Sequence, residues 1–213
     1  MSEIVNIPLF PVPLFKLKVT NHEKIKKYLM DTIHPHFLKN EINDKYANVY
    51  TDYIPGAVKA PWKMLNKFYE EDIEEFLKAT GIDFSKGWSY KFTCWYGMMT
   101  ETKNSLVHDH TGGPSTIQWS GVHYVVLDTD KDSGGTIFNN PNARMMKGVI
   151  PTKNTSKIPD LYRPNDQQCI VEEGDLVMFP SWLDHRTPDH SGSLRVIVAM
   201  NIMLKYTGEI EGY

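Results

Sequence analysis

A chain of 213 residues can bury one good core, or at most two small ones. A hydrophobic share of 41%, a charged share of 23% and a net charge of −3 are ordinary for a globular protein and argue against a surface that coats nucleic acid. Cys94 and Cys169 are too few for a disulfide framework or a cysteine zinc site, and no stretch has the apolar length to span a bilayer.

Residues 7–19 read as an extended edge segment, because Pro8, Pro11 and Pro13 remove backbone donors. The segment lacks a basic start and a cleavage site, so a reducing, cytoplasmic setting is expected. Asn21 is placed to cap a helix over about 22–34, with Ile25, Leu29 and Ile33 on its apolar face. Lys24, Lys26 and Lys27 fall toward its wet side, and Pro35 should end it. Residues 40–62 are loop-like, with a turn at Pro55-Gly56. A second helix is expected over about 64–79, carrying Leu65, Phe68, Ile73, Phe76 and Leu77, with Gly81 as its stop.

From Trp88 the character changes to short β-prone runs split by turns: 90–96, 117–127, 135–138, 168–171, 175–179 and 194–204. Both cysteines fall in such runs and read as buried free thiols. Residues 139–165 are long and weakly periodic, as in a lid or binding loop. Two helices followed by about eight strands predict one domain over 1–213. Residues 1–87 would supply an N-terminal strand and helices, and 88–205 the core. The expected fold is mainly β with supporting helices: a double-stranded β-helix, or jelly roll, of cupin-like form.

His108-Asp109-His110, His185 and Arg195 carry the chemistry. On a strand, residues i and i+2 share a side, so His108 and His110 can grip one ion while Asp109 faces away. A bulge would instead turn Asp109 inward. His185 would be the third ligand, with Asp109 or Asp184 as a partner for a ligand ring. Arg195 sits in the apolar run 194–200, where a buried charge needs an anionic partner. His34-Pro35-His36 is a second His-x-His with no supporting context.

Further motifs extend the set: 120–125 (Ser-Gly-Val-His-Tyr-Val), Gly134-Gly135-Thr136, 174–183 followed by His185, and Arg195 followed by Asn201. In order and spacing these resemble the 2-oxoglutarate/Fe(II)-dependent oxygenases, in a small bacterial and phage branch related to prolyl hydroxylases. The likeness covers roughly 88–205, and Pro8-Leu9-Phe10-Pro11 with the first helix also fits it. It implies Fe(II) on His108 and His185, with 2-oxoglutarate and O2 as co-substrates, and strand parity adds His110 as the third ligand. It implies Arg195 as the clamp on the distal carboxylate of 2-oxoglutarate. Tyr124 falls near the same carboxylate, or is a core aromatic, and Asn201 shares the face of Arg195, contacting the co-substrate or bonding backbone. Trp119, Phe179 and Trp182 line the pocket or belong to the core.

The family pattern places a carboxylate where His110 stands, so this chain departs from it. The implied reaction is hydroxylation of an unactivated C–H bond in a protein or small-molecule substrate, with residues 139–165 in contact. Nucleic acid and membrane are not expected as partners. Two alternatives stay open: a three-histidine thiol-type dioxygenase without 2-oxoglutarate, and a non-catalytic metal-binding jelly roll.

Overall fold

The computed structural model describes residues 12–39, 49–102, 106–111, 117–127, 134–142 and 166–208. Residues 1–11 and 143–165, which hold the Pro-Leu-Phe-Pro motif and most of the expected binding loop, lie outside them.

The strand β1 (Phe15–Lys18) alternates half-buried Phe15 and Leu17 with exposed Lys16 and Lys18. It forms the edge of a six-stranded antiparallel sheet and pairs with β7 (Asp175–Pro180). This sheet also holds β2 (Tyr50–Thr51), β3 (Trp88–Thr102), β4 (Trp119–Val126) and β9 (His190–Tyr206), in the order β1-β7-β4-β9-β3-β2. A second, three-stranded sheet runs β6 (Gln167–Ile170), β5 (Gly134–Phe138), β8 (His185–Arg186). The short β2 lies inside a stretch expected to be loop. Two residues are too few to leave a periodic pattern.

The helices cover one face of the large sheet. The first, α1 (His22–Tyr28), runs into a π-helical turn at Leu29–Ile33 and then α2 (His34–Phe37). Ile25, Leu29, Ile33 and Phe37 are all buried along one stripe. Pro35 does not end the helix. The backbone restarts at His34, so Pro35 falls in a first turn, where no amide donor is needed. Asn21 stands at the helix start, but its side chain makes no cap. Its Nδ2 donates instead to the Phe68 carbonyl at 3.2 Å, tying α1 to the second helical unit.

That unit is broken into α3 (Trp62–Leu65), a 3-10 turn at Asn66–Phe68 and α4 (Glu70–Ala79). Gly81, at φ 91°, closes it as expected. Buried Asp72 on α4 accepts from the Thr20 backbone N–H and hydroxyl, pinning the helix to the end of β1. Of the α1 lysines, Lys26 leaves the wet face and pairs with Glu173.

Strand parity sorts the rest. Residues Cys94, Tyr96, Met98, Val125, Met178, Val198 and Met200 face the helices. Trp119 packs there too, edge-on to Phe15 and Phe76 at 5.8 and 5.1 Å, so it belongs to the core. Val122, Tyr124, Val177 and Phe179 face the other way and meet Phe138 from the second sheet and Val171 just past its β6. Cys94 is buried and Cys169 half-buried, both as free thiols.

Candidate metal centre

His108 and His185 are joined by an isolated antiparallel bridge, which extends the small sheet by one residue. The His110 N–H donates to the Ser181 carbonyl at 2.9 Å, so the turn after β7 fixes the next part of the segment. All three rings then converge. His108 and His110 stack at 5.3 Å, and His185 lies 4.4 and 5.1 Å from them. One ligand nitrogen from each lies within 4.8 Å of the others, a grouping able to hold one metal ion. It is the only such cluster among the described residues. His34 and His36 sit on a helix, where i and i+2 diverge.

Every ring has its Nδ1 engaged. In His108 it donates to the Leu106 carbonyl at 3.0 Å, and in His185 to the Leu183 carbonyl at 2.8 Å. Carbonyls only accept, so both Nδ1 atoms carry the proton and both Nε2 lone pairs are left for a metal. His110 Nδ1 lies 2.5 Å from Asn201 Oδ1, with Ser120 Oγ at 3.2 Å. Burial holds His185 down at about 4 and also lowers His110, which favours the neutral form that ligation needs.

Asp109 takes no part. It is exposed, and its Oδ1 accepts from the Thr111 N–H and hydroxyl at 2.8 Å each, which lowers its pKa. Asp184 is exposed as well, so neither acid partners a ligand ring. The three rings together offer imidazole nitrogens that fit a divalent transition metal.

Arg195 is buried on β9, with its guanidinium 5.5 Å from the Tyr124 ring centroid. Register shifts interrupt β3 beside Arg195 and β4 beside Tyr124, which re-aims side chains there. The Tyr124 hydroxyl accepts from the Thr136 N–H at 2.8 Å and lies 2.9 Å from Thr136 Oγ1. Burial raises the Tyr124 pKa and keeps its hydroxyl protonated. A Cβ at Gly135 would fall 2.8 Å from that hydroxyl and 2.9 Å from Val171, so only glycine allows the approach of β5.

Sequence reasoning missed Ser120 and Thr136 as partners, although both stand in the quoted motifs. It also missed Trp95, whose ring lies 6.0 Å from His110. Phe179 and Phe138 flank His185 at 4.7 and 6.3 Å, whereas Trp182 is largely exposed.

A family model described as "Putative 2OG-Fe(II) oxygenase" matches residues 93–201, just over half of the chain. The chain belongs to this family of 2-oxoglutarate- and Fe(II)-dependent oxygenases. No curated protein matches its sequence. Solved structures share the fold at low identity. EvdO2 from Micromonospora carbonacea var. aurantiaca aligns with a TM-score of 0.58 and 11% identity, over 94% of this chain and 89% of that one. A Pseudomonas putida prolyl-4-hydroxylase gives 0.54 and 12%, over 90% and 92%. HygX from Streptomyces hygroscopicus, solved with nickel and 2-oxoglutarate, gives 0.54 and 10%, over 90% and 83%. The two-sheet architecture is thus the jelly roll of these oxygenases. No described helix is long and apolar enough to cross a membrane.

Proposed function

We propose that this oxygenase holds Fe(II) on His108, His110 and His185 and grips 2-oxoglutarate with Arg195, to hydroxylate an unactivated C–H bond. The convergence of three imidazoles, each with Nδ1 already engaged, carries the reading. Bound Fe(II) with 2-oxoglutarate and O2 supplies C–H oxidation coupled to decarboxylation of the co-substrate.

This chain's residues then have separate tasks. The Leu106 and Leu183 carbonyls orient His108 and His185. Phe138 and Phe179 keep water from the His185 side of the centre. Arg195 offers a planar fork to the distal carboxylate of 2-oxoglutarate. Tyr124 stacks beneath that fork while Thr136 holds its hydroxyl. Three neutral ligands cancel none of the ion's charge, which favours the dianionic co-substrate. A polypeptide side chain is our substrate reading. It rests on likeness of fold to a prolyl-4-hydroxylase, with residues 139–165 as the contact segment. We read residues 1–213 as one oxygenase domain.

The test is an anaerobic titration of Fe(II) and 2-oxoglutarate into metal-free protein, followed by the visible charge-transfer band of the chelate. A band in the parent that weakens in Arg195→Ala is expected. Bound metal without a band would overturn the co-substrate site. It would favour a three-histidine thiol-type dioxygenase that works without 2-oxoglutarate.

A further inference from the structure

His110 is held differently from its two companions. His108 and His185 each lean on a backbone carbonyl two residues earlier, a contact that no substitution removes. His110 leans on a side chain from a distant strand, the carboxamide oxygen of Asn201 on β9. Ser120 on β4 donates to that same oxygen at 2.8 Å, which fixes the carboxamide. Asn201, Ser120 and His110 thus form a closed triangle on the face of the large sheet that meets the metal centre. The two groups that face His110 Nδ1, a carboxamide and a hydroxyl, carry no charge.

We infer that Asn201 is a positioning residue for the metal centre: its oxygen fixes His110 with Nε2 toward the ion, and its neutrality leaves the ion's charge uncompensated. The inference rests on the ligand set proposed above. The acceptors behind all three ligands are uncharged: two peptide carbonyls and one carboxamide. A carboxylate in place of Asn201 would keep the shape and the bond to His110 Nδ1. It would also put a negative charge behind the ligand, raising imidazole basicity. Metal and dianionic co-substrate would then respond in opposite directions, which a purely structural role does not predict.

The test titrates Co(II) into metal-free parent, Asn201→Asp, Asn201→Ala and Ser120→Ala by calorimetry, recording the visible d–d band. 2-Oxoglutarate is then titrated into each Co(II) form. Asn201→Ala should lose about 10- to 100-fold in Co(II) affinity and shift the band. Asn201→Asp should bind Co(II) at least as tightly as the parent, and 2-oxoglutarate about tenfold more weakly. Ser120→Ala should fall between parent and Asn201→Ala in Co(II) affinity. The inference fails if Asn201→Asp leaves both affinities unchanged. Because that variant is isosteric, it decides the matter even where Asn201→Ala does not fold. A parent that binds no Co(II) would sink the ligand set itself, a separate result.

Discussion

His108 and His185 exchange both backbone hydrogen bonds, at 3.0 and 2.9 Å, and their rings sit 4.4 Å apart. Two candidate ligands far apart in sequence are thus locked by one antiparallel pair. The arrangement is built by main chain, which makes it insensitive to many side-chain changes. It concentrates sensitivity on the imidazoles themselves.

The identity of the middle ligand can be tested by contrast. His110→Ala should lower Co(II) or Fe(II) affinity by about 10-fold or more, since a ligand is lost outright. Asp109→Asn should leave affinity within about twofold, because the exposed carboxylate bonds only Thr111 and asparagine keeps that acceptor. Calorimetric metal titration reads both. The reverse ranking would make Asp109 the ligand.

Arg195 and Tyr124 should separate by magnitude. Arg195→Ala removes a buried cation from its carboxylate partner, a loss of about 2–5 kcal/mol in 2-oxoglutarate binding. Tyr124→Phe removes one hydroxyl already satisfied by Thr136, a loss of about 1 kcal/mol. Neither should change metal affinity. Equal and small effects in a 2-oxoglutarate titration would remove both from the co-substrate site.

The helix side of the large sheet carries a pH prediction. His123 is buried between Tyr69 Oη at 2.8 Å and His22 Nδ1 at 3.0 Å. Burial, with His22 adding to it, holds His123 down at about 3. Unfolded, the ring titrates near ~6.5. Between these values the unfolded chain binds the extra proton, so acid favours unfolding. The contribution of His123 is complete above pH ~6.5 and is lost as pH falls toward about 3, with a slope of up to ~1.4 kcal/mol per pH unit. Urea midpoints of metal-free protein at several pH values should show it, and His123→Gln should flatten the curve between pH ~6.5 and ~4. An unchanged slope in the variant would assign the acid sensitivity elsewhere.

Trp119 gives a negative control for the site. Its ring packs on Phe15 and Phe76, across the sheet from the metal centre. Trp119→Ala should cost about 3–5 kcal/mol of stability. Folded variant should still bind metal and 2-oxoglutarate as the parent does. Weakened binding at a temperature where the variant is fully folded would place Trp119 in the pocket after all.

Much of the site was legible in residue types and parity. His108 and His110 two apart, and Arg195 and Asn201 six apart, were expected to share faces, and each pair does. The resemblance supplied the expected order of roles. What could not be read was the partner of each ring. Leu106 and Leu183 act through carbonyls, which every residue has, so their side chains give no signal. Asn201 was visible as a polar residue on the right face, but its contact with His110 joins segments far apart in the chain. The π-helical turn and the restart before Pro35 were hidden too, because packing of Ile33 and Phe37 overrides the local rule about proline.

The sequence by itself determined the strand-rich second half, the amphipathic helices before it and a set of side chains able to hold a metal and an anion. It did so because the period of the apolar pattern and the chemistry of each side chain are local properties. That His110 rather than Asp109 turns inward, that Trp119 faces the helices and that Asn201 stands behind His110 followed from tertiary packing alone. Those outcomes depend on which distant strands become neighbours and in what register, and a one-residue slip would reverse every one of them.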